Sequence, residues 1–431
     1  MKKITRRAVS VLIIAALIVA GLCLYALNYI DHGRSWAMAF ARANSGSTGA
    51  LTDRSGLLLA SFDASENRYA DDAATRIACY HVTGDYWGRS GTGALTCFWD
   101  SMHDYSLLTG TTHSRSANLQ LTVDAGLCRT AYEALGGRKG AVMLMNYRTG
   151  EVLCMVSGPS VDPLSNEEPE DGAFINRCLS ARFVPGSIFK LVTAAAAIEC
   201  VPDLDRRSFY CENEYEIDGV PIICPGPHYT QTFEQALANS CNIAFAQLAV
   251  KVGQEQMVEH VRAYGLLDGH DLDGVPSVAG NYPTDFVGDP ELGWSGIGQS
   301  TDLVNPYAML RFVAAVANSG MLVEPHLIAG EEVGSTRLVE SATAQKLASM
   351  MNYNVTAHYR EEVSFPGLAL CAKTGTAELE EGQISHAWFV GFLADTAHPY
   401  AFVVLVENGG GGLSVAGPVA NAVLQQAVRI G

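Results

Sequence analysis

Positive charge is scarce in this chain. Lysine and arginine total 28 against 45 acidic residues, a formal net charge of −17. Such a balance repels phosphates and argues against a nucleic-acid partner. The acidic residues are scattered, apart from Glu167-Glu168-Pro169-Glu170-Asp171, so the charge says little more. No internal repeat is evident. There is no His-x-x-x-His pair and no repeated Cys-x-x-Cys pattern, so neither a metal site nor a cofactor is expected. Apolar residues are not lacking. The hydrophobic share of 48% supplies a large core and excludes global disorder. A length of 431 residues has room for two or three domains.

The N-terminus reads as a membrane anchor. Lys2, Lys3, Arg6 and Arg7 precede an uncharged, mostly apolar run from Ala8 to Ile30, long enough to cross a hydrocarbon core. Positive charge before the run places the N-terminus in the cytoplasm and the remainder outside, a single-pass protein of the cell membrane. A cleaved signal peptide is the competing reading. Cys23 follows bulky Leu22 and does not suit lipid attachment. The cytoplasmic tail is too short for a signalling domain.

Eleven cysteines are many for an extracytoplasmic protein, where oxidation can pair thiols. Cys211 and Cys224 flank a hairpin-like Glu212–Ile223 segment with Asp218-Gly219 as its turn, and are the first candidates for a disulfide. Cys79 with Cys97 is a second. Free buried thiols are the alternative, and connectivity stays open.

Three domains are expected: residues 1–30 as tail and anchor, 31–116 as polar stalk and pedestal, 117–431 as the main domain. Leu51–Ala60 reads as a hairpin around Asp53-Arg54-Ser55-Gly56. Arg68–Ser116 reads as a small irregular module. Ala125–Leu135 has helical spacing and is closed by Gly136-Gly137. Gly140–Asn146 and Glu151–Ser157 form strand–turn–strand around Tyr147-Arg148-Thr149-Gly150. A mostly helical region follows to about Gly265, with a later helix at Pro306–Ala317. Before that helix, the glycines of Gly293–Gln299 suggest close backbone approach. Leu368–Ala377, His386–Leu393 and Tyr400–Glu407 are further strands, and Ser414–Val428 is a closing helix. Strands at both ends around a helical middle imply one discontinuous α+β sheet domain with a helical insertion.

The chemistry centres on Val184–Glu199. Pro185 and Gly186 make a turn, Ser187 starts an apolar helical run, and Lys190 follows on the same face. A serine hydroxyl is a weak nucleophile until a base takes its proton, and a lysine serves only when neutral. Burial, a second cation and a helix N-terminus all push a lysine that way. Alone, Ser187 would be an N-cap and Lys190 a solvated side chain. Two further stretches change that: Ser240-Cys241-Asn242 between two helical patterns, and Lys373-Thr374-Gly375-Thr376 after an apolar run.

Ser-x-x-Lys, Ser-x-Asn and Lys-Thr-Gly in this order resemble the signature of penicillin-binding proteins and class A β-lactamases. The chain resembles class B penicillin-binding proteins over Leu119–Gly431, and more loosely over Leu51–Ser116. Thr48 stands where that family's pedestal segment has an arginine. The resemblance implies an antiparallel five-stranded sheet covered by helices, with an all-helical lobe. It implies a peptidoglycan D,D-transpeptidase. Ser187 would attack between two terminal D-alanines of a stem peptide, and Lys190 would take its proton. Ser240 would relay a proton between Lys190 and Lys373. Asn242 would hold a substrate amide, and Thr374, Gly375 and Thr376 would receive the substrate, with Gly375 leaving room against the strand. β-Lactams would acylate Ser187. The region before Leu119 is too short for a glycosyltransferase, so a multi-span glycan polymerase in the same membrane is the expected partner. A D,D-carboxypeptidase or β-lactamase on this scaffold is the alternative, and a non-catalytic β-lactam sensor or scaffold a third reading. Cys241 reads as a spacer on the cleft wall, His386 and Trp388 as packing residues.

Overall fold

Three C-terminal runs rich in Val, Phe, Leu and Ala, and two N-terminal ones, pair into a single sheet. The computed structural model describes residues 2–44, 49–62, 67–102, 105–106, 110–111, 118–359, 364–377 and 384–431. Its central sheet runs Leu370–Ala377, His386–Leu393, Tyr400–Val406, Gly140–Asn146, Val152–Gly158, with every neighbour antiparallel. The register pairs Thr374 with Phe389, Phe402 with Leu144 and Leu144 with Cys154. Tyr400–Val406 and Val152–Gly158 are buried at every position, as strands covered on both faces must be. The helices Ala125–Leu135 and Gly417–Ile430 pack together beside this sheet, and Pro306–Ala317 packs against its central strands. The expected α+β sheet with flanking helices is therefore present, built from both ends of the chain.

The helical insertion is less uniform than its sequence suggested. Helices Lys190–Cys200, Phe233–Ala238, Asn242–Val252 and Gln254–Ala263 are interrupted by two short ribbons. Glu214–Ile217 pairs with Val220–Ile223, and Ser208–Cys211 pairs with Tyr229–Thr232. The first has its turn at Asp218 and Gly219, both with positive φ, as the Asp-Gly pair predicts.

Ahead of this body, Leu51–Thr52 and Leu58–Phe62 form the expected hairpin, and Leu51–Thr52 also pairs in parallel with Leu119–Gln120. Its turn is held by Asp53, whose carboxylate accepts from Ser55 N at 2.8 Å and Leu57 N at 2.9 Å. Helix Ala73–Thr83 packs on Ala125–Leu135, so this module is fastened to the body rather than hung from it. Thr48 lies outside the described residues.

The N-terminal helix spans Lys2–Asn44, and its Arg7–Asn28 segment is long and apolar enough to cross a membrane. It is consistent with a single-pass anchor. The same helix runs on through the segment read as a stalk, from Asp31 to Asn44. Residues 35–44 contain no Pro or Gly and four alanines, so helix propensity outweighs polarity there.

Candidate active site

The nucleophile candidate sits on a turn that only glycines allow. Gly186 has φ of +55°, and a Cβ there would lie 2.7 Å from Thr376 O and 2.8 Å from Ala377 Cα. The turn thus rests directly on the edge strand Leu370–Ala377. From the other side, Gly186 N donates to Gly298 O at 2.9 Å. Gly298 in turn has φ of +77° and would bring a Cβ within 2.2 Å of Gly186 O. The close approach expected of the Gly293–Gln299 glycines is real, although Gly293 to Ser295 end a short helix rather than open a loop. Behind the turn, buried Trp388 donates its indole N–H to Val184 O at 2.9 Å, and Phe183 packs edge-on to His386. Trp388 and His386 accordingly serve packing.

A 3-10 turn over Gly186–Ile188 leads into helix Lys190–Cys200, and Lys190 points back at Ser187. Lys190 Nζ lies 3.0 Å from Ser187 Oγ, 3.2 Å from Ser240 Oγ, and 2.6 Å from both Ser240 O and Asn242 Oδ1. The amide of Asn242 is oriented by its own Nδ2, which donates to Ile223 O at 2.8 Å. Two of the four partners, a carbonyl and an amide oxygen, can only accept. A neutral amine has two N–H groups and one lone pair. With both N–H groups committed to those oxygens, its lone pair faces the serine hydroxyls. Burial pushes the Lys190 pKa down to about 8, while the nearby sulfurs of Cys224 and Cys241 act the other way. The geometry and the protonation balance both suit a general base.

Ser240 itself is strained, with φ of +53°. That conformation lets both its hydroxyl and its carbonyl face Lys190. Lys373, fully buried, donates to Ser240 Oγ at 3.0 Å and to Thr374 O at 2.8 Å. Burial, and then the Lys190 charge, hold the Lys373 pKa well below its ordinary value. Ser187, Lys190, Ser240, Asn242 and Lys373 therefore meet in one place, from three segments far apart in the chain.

Along the edge strand, Thr374 is half-buried and Thr376 exposed. Gly375 has a packing reason to be glycine that the sequence did not show. A Cβ on it would meet Pro185 O at 2.9 Å, Ile188 Cγ2 at 3.0 Å and Trp388 Cβ at 3.1 Å. Its missing side chain makes room for the nucleophile turn, because the strand's alternation aims that position away from the open face.

Sequence reasoning missed two features. Tyr359, just past helix Ser341–His358, is buried, and its hydroxyl accepts from Thr374 N at 2.9 Å and Asn354 Nδ2 at 2.8 Å. The same hydroxyl lies 3.0 Å from Thr374 Oγ1. No local pattern announces such a contact. The second is a cluster of Cys211, Cys224, His228 and Cys241, whose ligand atoms all lie within 4.8 Å of one another. The sequence, from which no metal site was expected, gave no sign of this grouping. These residues are 13, 4 and 13 positions apart, so no compact motif shows them, and the paired ribbons bring them together. Of the two alternatives for the cysteines, free thiols are found: Cys211 and Cys224 converge without a disulfide, and Cys79 lies against Cys128 rather than Cys97.

A serine on a glycine turn, a buried lysine aimed at it, and a second serine–lysine pair beside a sheet edge define a serine acyltransferase of the penicillin-interacting fold. Residues 140–425 match the family model described as the penicillin binding protein transpeptidase domain, and the chain belongs to that family as a class B penicillin-binding protein. It is 28% identical over 365 residues to the peptidoglycan D,D-transpeptidase PbpA of Mycobacterium tuberculosis, covering 73% of each chain. It is 28% identical over 313 residues to stage V sporulation protein D of Bacillus subtilis, covering 66% of this chain and 48% of that one. Among solved structures, the penicillin G acyl-enzyme of M. tuberculosis penicillin-binding protein A superposes with a TM-score of 0.76 at 25% identity, over 89% of this chain and 100% of that one.

Proposed function

We propose that this chain is a membrane-anchored peptidoglycan D,D-transpeptidase that works through an acyl-enzyme on Ser187. The observation that carries this reading is the placement of Lys190, whose lone pair, in the neutral amine, has only serine hydroxyls left to face. Ser187 Oγ attacks the carbonyl between the two terminal D-alanines of a stem peptide while Lys190 takes its proton. The resulting oxyanion is received by backbone N–H groups of Ser187 and Thr376. Alternation along the strand supports the second donor: Thr374 N points off the free edge to Tyr359, so Thr376 N points off the same edge, beside the Ser187 turn.

Ser240 relays the proton to the departing amine. It is suited to this by lying 3.2 Å from Lys190 and 3.0 Å from Lys373. D-Alanine leaves and Ser187 keeps the acyl group. Asn242 holds a substrate amide, and Lys373, Thr374 and Thr376 receive the terminal carboxylate. An amine of a second stem then attacks the ester, the cross-link forms and Ser187 regains its proton. β-Lactams enter the same cycle and stop at the acyl-enzyme.

The Arg7–Asn28 helix would insert in the lipid with the N-terminus inside, since Lys2, Lys3, Arg6 and Arg7 all lie at its N-terminal end. A multi-span glycan polymerase beside it would supply the strands to be joined. The test is labelling of the full chain by a fluorescent penicillin, with mass spectrometry of the adduct, followed by incubation with pentapeptide stems. An adduct on Ser187 and joined stems are expected. No adduct, or one elsewhere, overturns the mechanism. D-Alanine release without joined stems overturns transpeptidation in favour of a carboxypeptidase.

A further inference from the structure

The Cys211, Cys224, His228 and Cys241 cluster takes no part in the chemistry above, yet it lies directly beneath it. Cys211 ends strand Ser208–Cys211, Cys224 follows strand Val220–Ile223, His228 precedes strand Tyr229–Thr232, and Cys241 caps helix Asn242–Val252. The three cysteines are buried and the histidine is partly so. His228 Nδ1 lies 3.4 Å from Cys211 Sγ and 3.5 Å from Cys224 Sγ. A tetrahedral zinc ion, with sulfur at about 2.3 Å and nitrogen at about 2.0 Å, sets sulfur and nitrogen about 3.5 Å apart. The observed spacings match that edge.

We propose that these four residues form a tetrahedral site for a divalent cation of the zinc class, and that the bound ion braces the Ser240–Asn242 segment. Three sulfurs and an imidazole nitrogen are a soft set that selects zinc over magnesium or calcium. Backbone donors face the sulfurs, as they do around metal-bound thiolates. Asn242 N lies 3.3 Å from Cys224 Sγ and Ala244 N lies 3.5 Å from Cys241 Sγ. Helix Asn242–Val252 begins at Cys241, so its positive end favours a thiolate there.

The bracing follows from covalent neighbours. Cys241 stands between Ser240 and Asn242, the two residues that hold Lys190. Asn242 ties the two sites together, its N–H on Cys224 and its Oδ1 on Lys190 at 2.6 Å. Two non-glycine residues beside ligands, Ser240 at φ of +53° and Tyr229 at +52°, have left-handed backbone. Such conformations persist only where the surroundings over-determine them. A metal crosslink between both ribbons and the helix start supplies that restraint.

The experiment uses the full chain in detergent, reduced with a phosphine, stripped with a chelator and reloaded with Zn2+ alone. About one equivalent of zinc per chain is expected to survive gel filtration. Cys224→Ser and His228→Ala should lose it, while Cys200→Ser, outside the cluster, should keep it. Co2+ in place of zinc should give the intense visible bands of a tetrahedral thiolate-rich site. Zinc should slow amide hydrogen exchange over residues 240–244, and stripping should slow acylation by a fluorescent penicillin about tenfold or more, reversibly. Failure of reduced, folded protein to hold zinc, or an octahedral cobalt spectrum, overturns the site. Stoichiometric zinc with unchanged exchange at 240–244 overturns the bracing. The effect on acylation rests on the roles proposed for Ser240 and Asn242, whereas stoichiometry, the cobalt spectrum and exchange do not. Failure of the transpeptidase reading is therefore distinguishable from failure of this one.

Discussion

Lys190 and Ser240 touch twice, through the serine's carbonyl at 2.6 Å and its hydroxyl at 3.2 Å. Ser240 turns both groups to one side from a left-handed backbone, with φ of +53°. One contact holds the amine by an N–H, and the other opens a route for a proton. The strain at Ser240 is thus tied to the function proposed for it.

Replacing Lys190 tests the base directly. Lys190→Ala should slow acylation of Ser187 by about 100-fold to 10,000-fold, the usual span for a lost general base. Lys190→Arg should fare no better, because a guanidinium keeps its proton at any working pH. The rate of fluorescent-penicillin labelling measures both. An arginine variant that acylates at the wild-type rate would show that the side chain acts only as a cation.

The pH dependence has a definite sign. Lys190 has its pKa lowered to about 8 by burial. Below that value the amine is protonated and has no lone pair to offer. Acylation should rise as pH climbs through about 8 and level off above, with a rate near pH 6 about 100-fold below the plateau. Stability has the same sign in a higher window: the unfolded lysine binds its proton more tightly, so stability falls as pH drops from 10.5 to about 8 and levels off below. A labelling-rate profile measured between pH 5.5 and 9.5 would contradict this if it were flat.

Much of this architecture could be read from the chain before any coordinates. Alternating and continuous apolar runs placed all five strands of the main sheet, and Ser187, Lys190, Ser240 and Lys373 were found from their motifs. Those motifs are local in sequence: the first two each sit at a turn or helix start, and the third lies within a single strand. What stayed hidden was contact between distant segments. Tyr359 touches Thr374 across 15 positions, and the ligands around His228 gather only once two ribbons have paired. The packing of Gly375 against the nucleophile turn stayed hidden for the same reason. Its spacing gave the residue but not which side of the strand its absent side chain would occupy.

Tyr359 should prove to be a positioning residue. Its hydroxyl makes three contacts, with Thr374 N, Thr374 Oγ1 and Asn354 Nδ2, which uses its full capacity of one donor and two acceptors. Tyr359→Phe leaves the Thr374 N–H without this partner in a buried setting, at a cost of about 1–3 kcal/mol in unfolding free energy. Because Thr374 is held there, KM for a stem-peptide substrate should rise more than kcat falls. Urea unfolding and steady-state kinetics on the same preparation separate the two effects.

Gly375→Ala tests whether the nucleophile turn depends on the bare strand beneath it. The backbone at Gly375 is outside the left-handed region, so alanine meets no conformational penalty. The conflict is steric. A methyl group there would sit 2.9 Å from Pro185 O and 3.0 Å from Ile188 Cγ2, on either side of Ser187, and 3.1 Å from Trp388 Cβ. Trp388 is fully buried in the central sheet and has nowhere to go, so the turn must give. Overpacking of this kind costs about 1–3 kcal/mol. A nucleophile displaced even slightly from its base loses about tenfold or more in rate. Gly334→Ala is the control, since a Cβ there meets nothing within 4 Å. Acylation that drops in Gly375→Ala but not in Gly334→Ala fits the packing described, and equal rates in both would show that the turn does not rest on the strand.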